Sequence, residues 1–307
     1  MLQEVMTSPG VIEFRDVPIP EIRDDQVLVK MMRLGICGSD IHVYHGKHPY
    51  TKYPVTQGHE VSGEIVQVGS AVKGLEVGQK VVLEPQVTCG KCYPCTHGKY
   101  NLRTELKVMG FQTTGAAIEY FAVDASKVDV IPDSMTYDEA ALIEPLTIAL
   151  AAAEQAHISY GKSVAIMGAG GIGLMLVQLA RLAGASCVTV FDLVEEKCEL
   201  AKQLGADYAF DPRKEGALEE AMKVAGGAYD CVLEGTGVVS SAENALKLLA
   251  RNGDGVYFAM YGKDPYLQVN LHTDFYWDQK HLHGVIMGAG LFPKAIKLAP
   301  RVNLKAL

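Results

Sequence analysis

The sequence lacks the features that direct a chain to membranes or to nucleic acids. None of its apolar runs approaches the roughly 18 residues of a membrane-spanning helix. Residues 1–10 contain no charged segment followed by an apolar one, so no secretory signal is expected. A basic block is also missing, and the net charge is −8. Binding to nucleic acid or to an anionic membrane is therefore not expected.

A paired set of cysteines, as a disulfide framework would need, is missing too. The cysteine count is odd, at seven. Four cysteines lie near candidate metal positions, namely Cys37, Cys89, Cys92 and Cys95, and the other three are Cys187, Cys198 and Cys231. This usage is typical of a reducing compartment, and the sequence predicts a cytoplasmic protein.

The 307 residues are enough for two domains, and the pattern of the sequence changes between its two halves. Up to about residue 130, short β-branched runs at 27–31, 64–68 and 80–83 are bounded by glycine and polar turns, which predicts a small, barrel-like β domain. An alanine-rich stretch at 138–157 predicts a helical connector.

Residues 161–290 alternate between strand and helix patterns. Strands are predicted at 163–167, 187–192, 230–234 and 256–261, and helices at 171–183, 195–204 and 240–250. Such alternation predicts an α/β domain with a parallel, doubly wound sheet.

Residues 35–60 contain a candidate metal site. Cys37, His59 and Glu60 offer a thiolate, an imidazole and a carboxylate, and Glu144 adds a second carboxylate far downstream. Three protein ligands and one exchangeable position distinguish a catalytic zinc from a structural one. Taken singly, each residue is more typical of a buried cysteine or a surface polar group.

A glycine-rich loop follows the first predicted strand of the α/β half. Gly168 permits a sharp turn, Gly170 lets the backbone approach a pyrophosphate, and Gly173 lets the following helix pack closely on the strand. The candidate cofactor contacts in the loop are Gly168, Gly170, Gly171, Ile172 and Gly173. Asp192 ends the next strand, where a carboxylate would bind ribose hydroxyls and repel a 2′-phosphate, which favours NAD over NADP. Glycines that serve only tight turns, and an Asp192 that caps the following helix, are the alternatives.

These motifs together resemble the zinc-dependent medium-chain dehydrogenases. The resemblance is carried by residues 35–40, 58–60, 89–95 and 168–173. Glu144, where other members have cysteine, is similar to the sorbitol (polyol) dehydrogenase branch, which includes butanediol, threonine and galactitol-phosphate dehydrogenases.

The resemblance implies a fold and its domain limits. A GroES-like β-barrel catalytic domain is expected at 1–150 and an NAD-binding Rossmann domain at 151–290. Residues 291–307 are expected to start a return segment to the catalytic domain and to be truncated. The resemblance also implies that Lys197 lies beside the ribose, and that the chain forms a dimer or a tetramer.

The implied chemistry is the oxidation of an alcohol. Zinc polarises the alcohol oxygen, which eases removal of its proton and transfer of hydride to the nicotinamide. Ser39 and His42, close to Cys37 in sequence, could relay that proton to solvent. Alternatively, Ser39 caps a short helix at 40–45 and His42 is an exposed helix residue, as is expected of His45 and His48.

A second metal site is suggested by Cys89, Cys92 and Cys95, which have the two-residue spacings of a structural zinc site. In the similar enzymes a fourth cysteine stands eight positions after the third. Here that position is Arg103, whose guanidinium has no lone pair to donate. His97 and Glu105 lack the expected spacing, so a weak zinc site and a metal-free loop both stay open.

The sequence therefore predicts an NAD- and zinc-dependent dehydrogenase that oxidises a secondary hydroxyl of a small polyol or alcohol to a ketone. A zinc-dependent dehydrogenase of an amino alcohol such as threonine is one alternative. A catalytically impaired NAD-binding protein is another. Tyr44, Phe111 and Tyr120 either line the substrate pocket or belong to the core of the β domain.

Overall fold

The computed structural model describes residues 1–262 and 264–307, which form two compact units. The first unit contains Met1–Pro145 and Ala289–Lys297, and the second contains Leu146–Gly288 and Leu298–Leu307. The division before residue 146 lies inside a continuous helix that ends at Gln155, and this continuity explains why no break in composition marks it.

The end of the chain is shared between the two units. Only Ala289–Lys297 joins the first unit. Val302 and Leu304 are buried, and the Asn303 amide donates to Gln178 Oε1 at 2.7 Å. These contacts place the last residues in the second unit.

The first unit is built from antiparallel strands. A hairpin of β1 (Leu2–Ser8) and β2 (Val11–Asp16) stands beside a five-stranded sheet. The sheet contains β3 (Gln26–Leu34), β4 (Val61–Val68), β5 (Lys80–Leu83), β6 (Tyr120–Asp124) and β7 (Val128–Val130) in the order β6-β3-β4-β5-β7. Its core includes Val27, Val29, Ile65 and Leu83, all at most 1% exposed. The helices of the first unit include α1 (Gly38–Tyr44), α2 (Tyr93–Thr96) and α3 (Tyr137–Ala141), and α4 (Ile143–Gln155) begins in this unit and continues into the second.

The second unit is a parallel, doubly wound sheet, as predicted. Its strands are β8 (Ser163–Met167), β9 (Cys187–Phe191), β10 (Tyr208–Phe210), β11 (Tyr229–Glu234), β12 (Leu249–Tyr257) and β13 (His281–Gly284). They pair in parallel in the order β10-β9-β8-β11-β12-β13, which is the Rossmann order. Every residue of β8 is buried, because helices cover both faces of such a sheet.

The second half of the chain contains the helices α5 (Gly171–Leu182), α6 (Glu195–Gln203), α7 (Ala217–Val224), α8 (Val239–Leu248) and α9 (Phe292–Leu298), and a π-helical segment covers Leu271–Trp277. Helices α5, α6 and α8 fall close to the predicted ranges, whereas α7, α9 and the π-helical segment were not predicted. Within residues 1–262 and 264–307, no helix has the length and apolar character needed to cross a bilayer.

One predicted strand needs correction. The strand expected at 256–261 is β12, which begins at Leu249 and ends at Tyr257. Residues 251–254 read Arg-Asn-Gly-Asp and resemble a turn; Asn252 does take a left-handed φ of +56°, and the pairing with β11 shifts register there. The short edge strands β10 and β13 were not predicted, because three or four residues give too little alternation.

Candidate metal centre and dinucleotide loop

Three of the predicted metal ligands come together in the first unit. Cys37 Sγ, an imidazole nitrogen of His59 and a carboxylate oxygen of Glu60 all lie within 4.8 Å of one another. Glu144, in the first turn of α4, is not part of this three-residue set, but it is buried and its charge acts on Cys37. The structure therefore brings all four predicted ligands into one neighbourhood.

Strand pairing explains how ligands more than twenty residues apart meet. At the end of β3, Leu34 pairs with Val61 at the start of β4, and the Gly35 amide donates to the Glu60 carbonyl at 2.7 Å. Cys37 follows β3 by three residues, and His59 and Glu60 immediately precede β4. The antiparallel register therefore fixes the distance between the thiol and the other two ligands.

Asp40 is a site residue that the sequence analysis missed. Its Oδ2 accepts the Cys37 amide at 2.9 Å, and its Oδ1 accepts Gln57 Nε2 at 3.1 Å and lies 3.7 Å from His59 Nδ1. The signal for it was present: an acid three residues after Cys37 occupies the N3 position of α1, where it closes a capping box. Asp40 thus holds the Cys37 backbone through a hydrogen bond and lies close to His59 without bonding to it.

Burial and crowding govern the protonation of this cluster. Burial, together with the nearby Asp40 charge, raises the pKa of Glu60 to about 7 although the Cys37 thiol bonds to it. Burial raises the pKa of Asp40 to about 6, and it also raises the pKa values of Cys37 and Glu144. Buried anionic groups this close together destabilise one another's charged forms unless a cation lies among them.

The donor set fits a zinc ion. Burial and the neighbouring His48 lower the pKa of His59 to about 4, so its imidazole is neutral and keeps a lone pair for a metal. His59 Nδ1 is buried without a hydrogen-bond partner. A thiolate, an imidazole and carboxylates are all zinc ligands, and a divalent cation would compensate the crowded negative charge.

Phe111 and His48 flank the metal-ligand cluster. Phe111 is buried, its ring centroid lies 4.9 Å from that of His59, and it stacks on His48 at 4.7 Å. His48, expected to be exposed, is only partly exposed, and its Nδ1 lies 2.7 Å from Thr51 Oγ1. Of the other two candidate aromatics, Tyr44 is exposed and Tyr120 is half-buried in β6.

Ser39 and His42 both lie on α1. The alternative interpretation of Ser39 as the N-cap is wrong, because the helix begins at Gly38 and its N-cap is Cys37. Ser39 instead contacts the Cys37 sulfur through both its amide and its hydroxyl. His42 is exposed in the last turn of α1. The proton relay through these two residues stays a prediction.

The sulfur atoms of Cys89, Cys92 and Cys95 lie within 4.8 Å of one another. Amides of Thr104 and Cys95 hydrogen-bond the Cys92 sulfur and lower the pKa of Cys92 to about 6. Arg103 Nη1 donates to the Val87 carbonyl at 2.9 Å. Zinc occupancy of this three-cysteine loop stays a prediction.

Neither predicted substitute for the fourth cysteine lies with the three sulfur atoms. His97 and Glu105 are both outside this ligand cluster. His97 stacks on Tyr93, with 4.0 Å between ring centroids, and its Nδ1 lies 2.8 Å from the Tyr93 carbonyl. The local fold therefore holds His97 against α2.

The glycine loop of the second unit joins β8 to α5. Gly168 has a left-handed φ of +101°, and a Cβ on Gly173 would collide with the Gly168 carbonyl. The loop lies at the switch point of the sheet, where β8 has β9 on one side and β11 on the other. Gly170 is the N-cap of α5, and the α5 residues Gly171 and Ile172 are the next predicted contacts.

Asp192 is connected directly to the glycine loop. Its Oδ2 accepts the Ala169 amide at 2.7 Å and its Oδ1 accepts the Val194 amide at 2.9 Å. The N-cap of α6 is Val194, so Asp192 does not cap that helix. Lys197 is exposed on α6. The ribose contacts proposed for both residues stay predictions.

Glu234 and its partners were missed by the sequence analysis. Glu234 ends β11, is fully buried, and accepts the Thr236 amide at 2.9 Å as well as the hydroxyls of Thr236 and Tyr261. The Gly235 amide bonds to the Met167 carbonyl, next to the glycine loop. An acid at the end of a buried strand, followed by Gly-Thr-Gly, was the available signal.

Comparison with known proteins identifies the family. Residues 23–133 match the model of the alcohol dehydrogenase GroES-like domain, and residues 171–301 match that of the zinc-binding dehydrogenases. The chain is 36% identical over 304 residues to sorbitol dehydrogenase of Bacillus subtilis (strain 168), which covers 97% of this chain and 85% of that protein.

Two crystal structures extend the comparison. A protein named as a zinc-binding dehydrogenase from Clostridium scindens ATCC 35704 is 49% identical, with a TM-score of 0.93 over 100% of this chain and 91% of that one. Another from Sinorhizobium meliloti 1021, bound to NADP, is 31% identical, with a TM-score of 0.94 over 98% and 89% of the two chains. The resemblance seen in the motifs is thereby confirmed: the chain belongs to the zinc-dependent medium-chain dehydrogenases, oxidoreductases that act on CH–OH groups with zinc and a nicotinamide cofactor.

Proposed function

We propose that this enzyme oxidises a secondary hydroxyl group of a small polyol to a ketone, with NAD as the hydride acceptor. The observation that carries the proposal is the cluster of partly buried Cys37 with buried His59 and Glu60, and with buried Glu144 nearby. Its likeness to a relative named sorbitol dehydrogenase supports a polyol as the substrate.

Cys37, His59 and Glu60 would hold the zinc ion, and Glu144 would bind it directly or through a water molecule. Zinc at this site supplies a Lewis acid for the alcohol oxygen. The two carboxylates make the ligand set harder than one built on two thiolates, which suits an oxygen-rich substrate. Asp40 keeps the backbone of Cys37 in position, because its Oδ2 accepts the Cys37 amide, and its Oδ1 lies 3.7 Å from His59 Nδ1.

The proton of the substrate hydroxyl would leave along α1. The Ser39 hydroxyl, next to the Cys37 sulfur, would accept it first. His42 is exposed on the same helix and would pass it to solvent through an imidazole nitrogen. We expect both residues to affect the rate and its pH dependence more than the binding of metal.

The cofactor would lie on the glycine loop. The amides at the start of α5 would bind the pyrophosphate. NAD supplies the carbon that accepts the hydride. Each Asp192 oxygen accepts one amide and keeps a second lone pair for a ribose hydroxyl, and its charge would repel a 2′-phosphate. Because the S. meliloti structure is bound to NADP, this preference has to be measured.

The test is a substrate panel with both cofactors and a metal analysis of the same sample. We expect NAD reduction with at least one polyol such as sorbitol, xylitol or 2,3-butanediol. Turnover of L-threonine but of no polyol would move the assignment to an amino-alcohol dehydrogenase, and NAD binding without any turnover would indicate an impaired enzyme. Sedimentation of the same sample tests the proposed dimer or tetramer.

A further inference from the structure

A second group of metal-binding side chains lies in the second unit. His157 Nδ1 is 3.2 Å from Asp254 Oδ1, and His283 Nε2 is 3.0 Å from the same oxygen. A ligand atom of each of the three residues lies within 4.8 Å of those of the other two. Two imidazoles thus converge on one carboxylate oxygen.

This group is separate from the dinucleotide loop. Asp254 lies level with Val164 near the start of β8, since Cys231 pairs with both of them. The glycine loop begins four residues further along β8, which is about 13 Å at the rise of a strand. The group therefore lies toward the amino-terminal side of the sheet, where the proposed dehydrogenase reaction uses no residue.

The spacing of the donor atoms suits a small divalent ion. With bonds of 2.0–2.1 Å and tetrahedral angles, the ligand atoms of a zinc site lie about 3.3 Å apart. The two nitrogen–oxygen distances of 3.2 and 3.0 Å are close to that value. The His157 side chain is 61% exposed and Asp254 only 11%, so an ion could enter from solvent and bind a carboxylate that is already oriented.

Further contacts hold these ligands in place. Gln155 Nε2 lies 2.9 Å from His283 Nδ1, the ring nitrogen that points away from Asp254. Rotation of the Gln155 amide would let its Oε1 accept a hydrogen bond from His283 Nδ1–H, which leaves His283 Nε2 free to bind a metal. Lys162 Nζ approaches the other Asp254 oxygen, Oδ2, at 3.4 Å, and leaves Oδ1 to the imidazoles.

The backbone places the His157 side chain just beyond the last turn of α4. His157 has a left-handed φ of +49°, and the Ile158 amide bonds back to the Ala153 carbonyl. Glycine is the usual residue at such a position, and histidine is among the other residues enriched there. Glycine can therefore replace His157 without disturbing this turn.

We propose that His157, Asp254 and His283 form a second binding site for a divalent transition-metal ion, with zinc as the probe. The bound ion would link the end of α4 to β12 and to the edge strand β13. The site rests on the second unit alone, so it is independent of the proposed substrate.

The first test compares two histidines on the same strand. His281 lies two residues from His283 on β13, but its Nε2 contacts Asn252 and it is outside the ligand group. The full chain, His283→Ala and His281→Ala are equilibrated with a buffered micromolar concentration of free zinc, and bound zinc is counted. We expect His283→Ala to hold one ion fewer than the other two. Equal zinc content in all three proteins would overturn the site.

A second variant separates the loss of metal from the loss of the fold. His157→Gly removes one ligand and also relieves the left-handed strain, so the metal-free variant should have a higher Tm than the metal-free parent. Zinc affinity at this site should fall more than about tenfold. If the glycine variant keeps the zinc content of the parent, the group is a hydrogen-bond network and not a metal site.

Discussion

Replacement of Glu60 by glutamine isolates the free energy of a buried negative charge at the candidate zinc site. The pKa of Glu60 is raised from 4.5 to about 7 in the folded chain. Ionisation therefore costs more in the folded state than in the unfolded state. The neutral Glu60 carboxyl therefore contributes to the free energy of unfolding of the metal-free parent. This contribution should be lost as the pH rises from about 4.5 through about 7.

The size of the effect follows from that change in pKa. At about 1.4 kcal/mol for each pH unit, the change corresponds to about 3 kcal/mol at pH 8. Glutamine has the shape of a protonated glutamate and carries no charge. Metal-free Glu60→Gln should therefore be about 3 kcal/mol more stable than the metal-free parent at pH 8 and nearly equal to it near pH 4.5. With zinc present the order should reverse, because the amide is the weaker ligand.

Urea unfolding of chelator-treated protein at several pH values between 4.5 and 8 measures this difference. Glu76→Gln is the matched control, since it removes the same charge from an exposed turn of the same unit. We expect the control to differ from the parent by less than about 0.5 kcal/mol at every pH. A Glu60→Gln protein that is less stable than the parent at pH 8 without metal would refute the electrostatic reasoning.

Four further predictions concern the metal and cofactor sites. Cys37→Ser should abolish turnover while NAD affinity, measured by calorimetry, changes little, because the glycine loop belongs to the other unit. Asp40→Asn should weaken zinc binding about 10- to 100-fold in a chelator competition, as expected when a group that orients ligands is lost. Asp192→Ala should lower the ratio of kcat/KM for NAD to kcat/KM for NADP, because the charge that repels a 2′-phosphate is lost. Equal kcat/KM values for the two cofactors in the parent would contradict the role given to Asp192. Arg103→Cys should raise zinc content by up to one ion per chain without much change in kcat, unless the parent already holds a tightly bound ion in its three-cysteine loop.

The sequence was informative where residues close together in the chain define the structure. Cys37, the His59–Glu60 pair and the glycine loop each occupy a short motif beside a strand or a helix, and the structure places them as those motifs suggest. The alternation of strand and helix likewise predicted the parallel sheet, because buried strands such as β8 are mostly apolar and are followed by helical patterns.

Prediction was poorer where distant parts of the chain decide the outcome. His157 and His283 are more than 100 residues apart in the chain. The pairing of β12 with β13 brings His283 to Asp254, and the end of α4 brings His157 there. Residues 251–253 of β12 resemble a turn. They belong to a strand because Leu249 before them and Asp254 after them both pair with β11. Asp40 is close to Cys37 in sequence, but the fold alone brings its carboxylate to within 3.7 Å of His59.

The most direct test of the central claim follows NAD-dependent polyol oxidation as zinc is removed from the enzyme and restored to it, in the parent and in His59→Ala. If Cys37, His59 and Glu60 hold the zinc that serves the reaction, activity in the parent should fall to background on removal and return in proportion to the zinc restored. His59→Ala should stay inactive at every zinc concentration. Full activity in the zinc-free parent, or recovery of His59→Ala with zinc, would contradict the account.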